Sequence, residues 1–169
     1  MKLSQEKRAH DALAGRVPLV IGRFANLYGP RHNMTKGQGL IPQLCLASVR
    51  RQALNLYVSM DTVRDYIYID DAAAYAWSAV CAAVDGPPDE ATIVIIASGQ
   101  PVTVAEVIAT VQGVAHRKVP LALGTHPSSI HQAIDLRLTP TRIDDTVEIT
   151  PLANGIKRVF DDMVGRVNA

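Results

Sequence analysis

Two side chains in this sequence carry chemistry that their neighbours would hold at the ends of strands. Arg64 opens the stretch Arg64-Asp65-Tyr66-Ile67-Tyr68-Ile69-Asp70-Asp71, where tyrosine and isoleucine favour a strand, and Ala72-Ala73-Ala74-Tyr75-Ala76-Trp77 after it favours a helix. The arginine therefore sits at the mouth of a short strand that turns directly into a helix capped by Asp70. Its planar guanidinium can pair two oxygens of a phosphate group. The competing reading is a surface ion pair with a carboxylate such as Asp61. Asn26 follows an apolar run and precedes the tight turn Tyr28-Gly29-Pro30. That places it at the carboxyl end of a strand, where open α/β sheets hold their ligands; a purely turn-forming asparagine is the alternative.

The remaining reactive residue types offer less. His10, His32, His116, His126 and His131 include no pair at the i, i+4 spacing, and zinc requires three or four convergent ligands, so solvated loop histidines are expected. Cys45 and Cys81 lie in apolar helical patterns without C-x-x-C spacing, which predicts buried, reduced thiols. With 48% hydrophobic and 20% charged residues in 169, the chain can bury a core as a single unit, residues 1–169. A net charge of +1 gives no overall attraction to nucleic acid or to an acidic membrane. No apolar run is long enough to span a bilayer and Met1 to Lys7 has no signal-peptide core, so a cytoplasmic location is expected.

The elements that would position Arg64 and Asn26 follow from pattern. Lys2 to Ala14 has helical spacing and ends at Gly15, a left-handed cap. Val17 to Ala25 and Ala91 to Ala97 are nearly continuous apolar runs, which predicts parallel strands buried on both faces. A polar loop from Arg31 to Gly39 could fold over a ligand, and Leu40 to Gln52 is a helix. Leu54 to Val58 alternates as a half-buried strand, forming a small pair with the Arg64 segment. Asp71 to Val84 is an alanine-rich helix ended by Asp85-Gly86-Pro87-Pro88. Thr103-Val104-Ala105-Glu106 is a capping box opening an amphipathic helix with Val104, Val107, Ile108 and Val111 inside. Lys118 to Leu123 is an edge strand, because Pro120 cannot donate to a central ladder. Thr139-Pro140 could start a short helix, and Thr150-Pro151 starts the final one. The fold class is α/β.

The Arg64 stretch resembles the R-D-[FY]-[IV]-x-V-x-D segment of extended short-chain dehydrogenase/reductases, the NAD-dependent nucleotide-sugar epimerases and dehydratases. Gly22-Arg23-Phe24-Ala25-Asn26-Leu27-Tyr28-Gly29-Pro30 resembles that family's R-x-x-N-x-Y-G-P at the expected distance upstream. Lys2-Leu3-Ser4-Gln5-Glu6 resembles the second half of its Y-x-x-x-K helix with L-x-x-E, whose tyrosine would fall three codons before Met1. The resemblance implies the C-terminal part of a Rossmann-like parallel sheet with a small α/β substrate-binding subdomain. It implies Lys2 as the residue that binds the nicotinamide ribose and lowers the pKa of the catalytic tyrosine. It also implies Phe24 and Ala25 beside the nicotinamide, Asn26 on the substrate's phosphate or sugar, Leu40 closing over the nucleotide, and Arg64 on the diphosphate.

The sequence also departs from that family. No G-x-x-G-x-x-G follows a strand. Ala25 stands where an aromatic is common, and the loop from Gly124 to Ser129 has no R-x-G-D. The expectation is therefore a sugar-nucleotide-binding portion without its dinucleotide-binding half. NAD or NADP belongs to the intact family, and none is expected on this chain alone. Such a portion would be inactive by itself and would self-associate or pair with a missing N-terminal segment. A non-catalytic binding or regulatory module, and an atypical reductase with a non-sugar substrate, are the rival readings.

Overall fold

The computed structural model describes residues 2–13, 15–84, 91–124, 133–141 and 147–168. In chain order they form α1 (Lys2–Leu13), β1 (Leu19–Phe24), β2 (Asn26–Tyr28), a 3-10 turn (Met34–Lys36), α2 (Leu40–Arg50) and β3 (Leu54–Leu56). There follow β4 (Val63–Arg64), β5 (Tyr66–Tyr68), α3 (Ile69–Val84), β6 (Ala91–Ile96), β7 (Val102–Thr103), α4 (Val104–Ala115), β8 (Leu121–Leu123) and α5 (Leu152–Asn168).

The strands join in four pairs. β1 lies parallel to β6, with Ile21 opposite Ile93 and Phe24 opposite Ile96. β2 lies parallel to β5, and this register sets Asn26 opposite Tyr66. β3 is parallel to β8, while β4 is antiparallel to β7 with Arg64 opposite Val102. Parallel neighbours need long crossovers. The connection from β1 to its partner β6 includes α2 and α3, and α3 itself leads from β5 toward β6.

Two clusters of buried side chains hold these pieces. In the first, α3 lays Ala72, Tyr75 and Ala79 against Ile67, Val94 and Ile96. The small alanines let the helix approach the strands closely. In the second, α2, α4 and α5 pack Leu44, Cys45, Val107, Val111, Ile156 and Val159 around Tyr28 and Tyr68. The two tyrosines meet edge to face, with ring centroids 5.7 Å apart. The α/β class with parallel strand pairs is the one expected.

Several local expectations hold in detail. Gly15 adopts φ 72°, and Thr103 and Glu106 form the reciprocal capping box at α4. β8 pairs on one side only among the described residues, and the Pro120 carbonyl accepts from Leu54 N just outside it.

Other expectations are corrected. β1 was expected to be buried on both faces, yet Leu19–Ile21 are half-buried and Gly22–Phe24 exposed. A continuous apolar run calls for two covered faces, and the described chain packs α3 on one. The strand from Leu54 pairs with β8, not with the Arg64 segment, which divides between β7 and β2. Cys45 is buried, but Cys81 is exposed, because α3 turns Ala72, Tyr75 and Ala79 inward and Cys81 lies off that stripe. Asp70 lies within the first turn of α3 and does not cap it. Its neighbour Asp71 is the buried one, accepting from the Thr150 amide and hydroxyl, each at 2.8 Å. Thr150 thus anchors α5 to α3. Thr139 and Pro140 belong to no helix or strand. The segments around Asp85 to Pro88, His126 and His131 lie outside the described residues.

Candidate functional site

The carboxyl end of β1, the start of β2 and the turn between β4 and β5 meet at one point, and a buried carboxylate fixes it. Asp65 is 1% exposed, and its two oxygens accept from the amides of Ser98 and Gly99, each at 2.8 Å. Its own carbonyl accepts from the backbone N of Asn26 at 3.1 Å and from Asn26 Nδ2 at 2.8 Å. Burying an ionised carboxylate requires such partners. These bonds lock three separate chain segments side by side.

Above this lock lies a cleft of about 590 Å³. Lys2, Phe24, Ala25, Asn26, Leu40 and Arg64 all line it, with His32, Gln38 and Tyr66. All six residues singled out from the sequence are therefore brought together. The cleft has Lys2, Arg64 and His32 in its wall and, among the described residues, no aspartate or glutamate. Its field favours an anion.

Arg64 forms no ion pair among the described residues, so the pairing with Asp61 is not what occupies it; Asp61 instead accepts from the Ser59 hydroxyl. Its Nη1 donates to the Val63 carbonyl at 2.7 Å and to Ile134 O at 3.4 Å. These two bonds orient the guanidinium from one edge. Asn26 is half committed: a carbonyl can only accept, so the atom facing Asp65 O is the amide nitrogen. What remains for a ligand is the Oδ1 acceptor and one N–H, a combination better matched to a sugar hydroxyl than to a phosphate.

Leu40 opens α2, whose N-cap is Gly39 with no side-chain cap. Leu40 and Ile41 of that first turn line the cleft without a capping side chain, Pro42 having no N–H, and such an end attracts anions. Gly39 has φ 86°, and a Cβ there would meet Pro42 Cγ at 3.0 Å and the His32 ring at 3.3 Å. Glycine is required both by the backbone and by the packing of the loop. His32 Nε2 is within 3.0 Å of Gln38 O, which closes that loop on itself at the cleft edge.

Lys2 reaches the cleft from α1, a helix with no buried residue. Arg23 Nη2 and Nε contact the Glu6 carboxylate at 2.7 and 3.1 Å, which ties α1 to β1. That pairing holds the Glu6 carboxyl below its usual range. Burial raises the Tyr66 phenol, with Arg64 partly opposing it, and burial also raises Tyr28. Both phenols are protonated at neutral pH, so they are hydrogen-bond donors and not bases.

Asp65, His32 and Gln38 were not singled out from the sequence. An acid next to an arginine in an apolar strand was visible, but its partners at Ser98 and Gly99 are remote in sequence, and no local pattern links them.

Parallel strands whose carboxyl ends open onto a cationic cleft define a Rossmann-like α/β protein with a ligand site at the strand ends. Residues 1–96 match the model of the NAD dependent epimerase/dehydratase family, and the chain belongs to that family. Its relatives include dTDP-L-rhamnose 4-epimerase of Burkholderia thailandensis, 31% identical over 107 residues, covering 62% of this chain and 28% of that protein. A probable dTDP-glucose 4,6-dehydratase of Sinorhizobium fredii is 38% identical over 61 residues, covering 36% of this chain and 17% of the relative. Among solved structures, UDP-glucuronic acid 4-epimerase from Bacillus cereus, in complex with UDP-glucuronic acid and NAD, superposes with a TM-score of 0.80 at 16% identity. That match covers 98% of this chain and 51% of the epimerase. UDP-glucose 4-epimerase from Bifidobacterium longum, in complex with NAD+ and UDP, gives a TM-score of 0.81 at 16% identity, covering 99% and 54%. The chain thus spans about half the length of these two structural relatives.

Proposed function

We propose that this chain is the sugar-nucleotide-binding, C-terminal portion of an NAD(P)-dependent nucleotide-sugar epimerase or dehydratase, unable to turn over alone. The observation that carries this reading is the convergence of Lys2, Asn26, Leu40 and Arg64 on one cleft with no carboxylate among the described residues of its wall. In this assignment Arg64, held by the Val63 and Ile134 carbonyls, turns its remaining N–H groups to the diphosphate. The uncapped start of α2 adds backbone donors to the same charge, and Asn26 meets a sugar hydroxyl.

The exposed Phe24, the small Ala25 and the Lys2 ammonium fit the nicotinamide-ribose end of a dinucleotide. The sequence has no glycine-rich strand-to-helix turn for the pyrophosphate. A bound nicotinamide cofactor would supply the hydride acceptor. Lys2 would hold the ribose hydroxyls and, by its charge, favour the phenolate of a neighbouring tyrosine. Neither Tyr66 nor Tyr28 substitutes for that base, because both phenols are raised.

Thermal-shift titration with UDP, dTDP and NAD tests the reading. Stabilisation by a nucleoside diphosphate is expected, with little from NAD. Arg64→Ala should weaken the diphosphate response about tenfold to a hundredfold, the loss of one charge-assisted contact. Absence of any nucleotide response would reject the assignment in favour of a non-catalytic module. A response confined to small ketones or aldehydes would favour the reductase.

A further inference from the structure

A second cationic cavity lies at the far end of the helices that border the cleft. α2 and α4 both begin there, with Leu40 and Val104 in the cleft wall, and both end beside a separate cavity of about 360 Å³. Eleven residues of helix put the two sites roughly 16 Å apart. Their walls share no residue. The cavity is lined by Ala47, Ser48, Arg51, Arg117, Lys118 and Pro120.

Its construction is a repeated one. Each helix ends at a non-glycine residue in the left-handed region, Arg51 at φ 55° and His116 at φ 52°, and each continues into a strand of the β3–β8 pair. The two turns are thereby held side by side. One contributes Arg51 and the other Arg117 and Lys118.

None of these three cations has a carboxylate partner among the described residues. The sequence explains why: positions 40–60 and 107–134 contain no aspartate or glutamate. The obvious neutralising groups are the helix carbonyl ends, and Arg117 Nη1 does donate to the Ser48 carbonyl at 3.3 Å. Each helix end carries roughly half a negative charge, so two of them offset about one of the three positive charges. The cavity stays cationic by about two.

Ser48 is 1% exposed and its hydroxyl is closed off from the cavity, so the side chains that face an occupant are the three cations. A cavity near the lower end of ligand-pocket sizes suits a small occupant.

We propose that this cavity is a phosphate site, distinct from the sugar-nucleotide cleft, that holds a small phosphorylated molecule or free phosphate between Arg51, Arg117 and Lys118. Its occupant balances the positive charge that the two helix ends and the chain's own carboxylates leave unmatched.

The test is a titration of the chain with inorganic phosphate at constant ionic strength, followed residue by residue through backbone amide NMR shifts. Saturable shifts are expected at Ser48, Arg51, Arg117 and Lys118. The double variant Arg51→Gln, Lys118→Gln, changed only at exposed side chains, should weaken them at least tenfold, while Arg64→Ala should leave them intact. Repeating the titration with a hexose phosphate and a nucleoside monophosphate separates the sources. A tighter ester names the ligand class, and equal binding points to free phosphate. Shifts that never saturate, that persist unchanged in the double variant, or that vanish with Arg64→Ala would overturn the proposal. The last result would place the anion in the cleft.

Discussion

Asp65 is the side chain on which the geometry of the cleft rests. Its carboxylate satisfies two backbone amides of the loop between β6 and β7, and its carbonyl holds Asn26. Asp65→Ala would leave the half-buried Ser98 amide and the more exposed Gly99 amide without these acceptors, a loss of about 1–3 kcal/mol. A urea melt should show this as a lower midpoint with little change in slope, whereas Arg64→Ala, beside it, should leave the midpoint nearly unchanged. The two cysteines make a second contrast at this scale. Cys45 is buried, and burial pushes its thiol up to about 12. Cys81 is exposed. A thiol reagent such as Ellman's should modify Cys81 alone in the native chain and reach Cys45 only in denaturant; prompt modification of both would contradict the packing of α2.

At the scale of elements, α1 differs from every other α-helix among the described residues because it buries none of its residues. A twelve-residue helix without a packed face is marginal in water. Its visible tie is the exposed Arg23–Glu6 pair, a type of contact worth little by itself. Amide exchange in α1 should therefore be fast compared with α4, which has its capping box and a fully packed stripe. Arg23→Ala should speed exchange in α1 further and leave α4 as it was. Slow exchange throughout α1 would mean that it packs on a surface absent from the present contacts. Lys2 rides on this helix, so the position of the one sequence-assigned catalytic group depends on the least secured element.

The molecule as a whole leaves apolar surface open around the β1–β6 pair. Phe24 is 47% and Ile93 46% exposed, and Leu3 faces the same region at 71%. Parallel strands are normally covered on both faces. We expect the isolated chain to self-associate at micromolar concentration, seen as a rising sedimentation coefficient, with Leu3→Glu plus Ile93→Glu shifting it towards the monomer. A monomer at all concentrations would show that this surface is tolerated in water.

What the sequence alone determined was local. The strand chemistry around Tyr66 and Tyr68, the turn at Tyr28-Gly29-Pro30, the capping box at Thr103 and the buried stripe of α4 each depend on residues within a turn or two of one another. Their propensities act before any tertiary contact forms. The gathering of Lys2, Asn26, Leu40 and Arg64 was expected as well, though as what the family resemblance implies and not from local pattern. Tertiary structure decided the rest. Which strand pairs with β3, why Cys81 faces outward, how Asp65 finds Ser98 and Gly99, and the meeting of Arg51 with Arg117 all depend on residues far apart in the chain. Periodicity reports which face of an element is apolar, but only packing decides what covers that face.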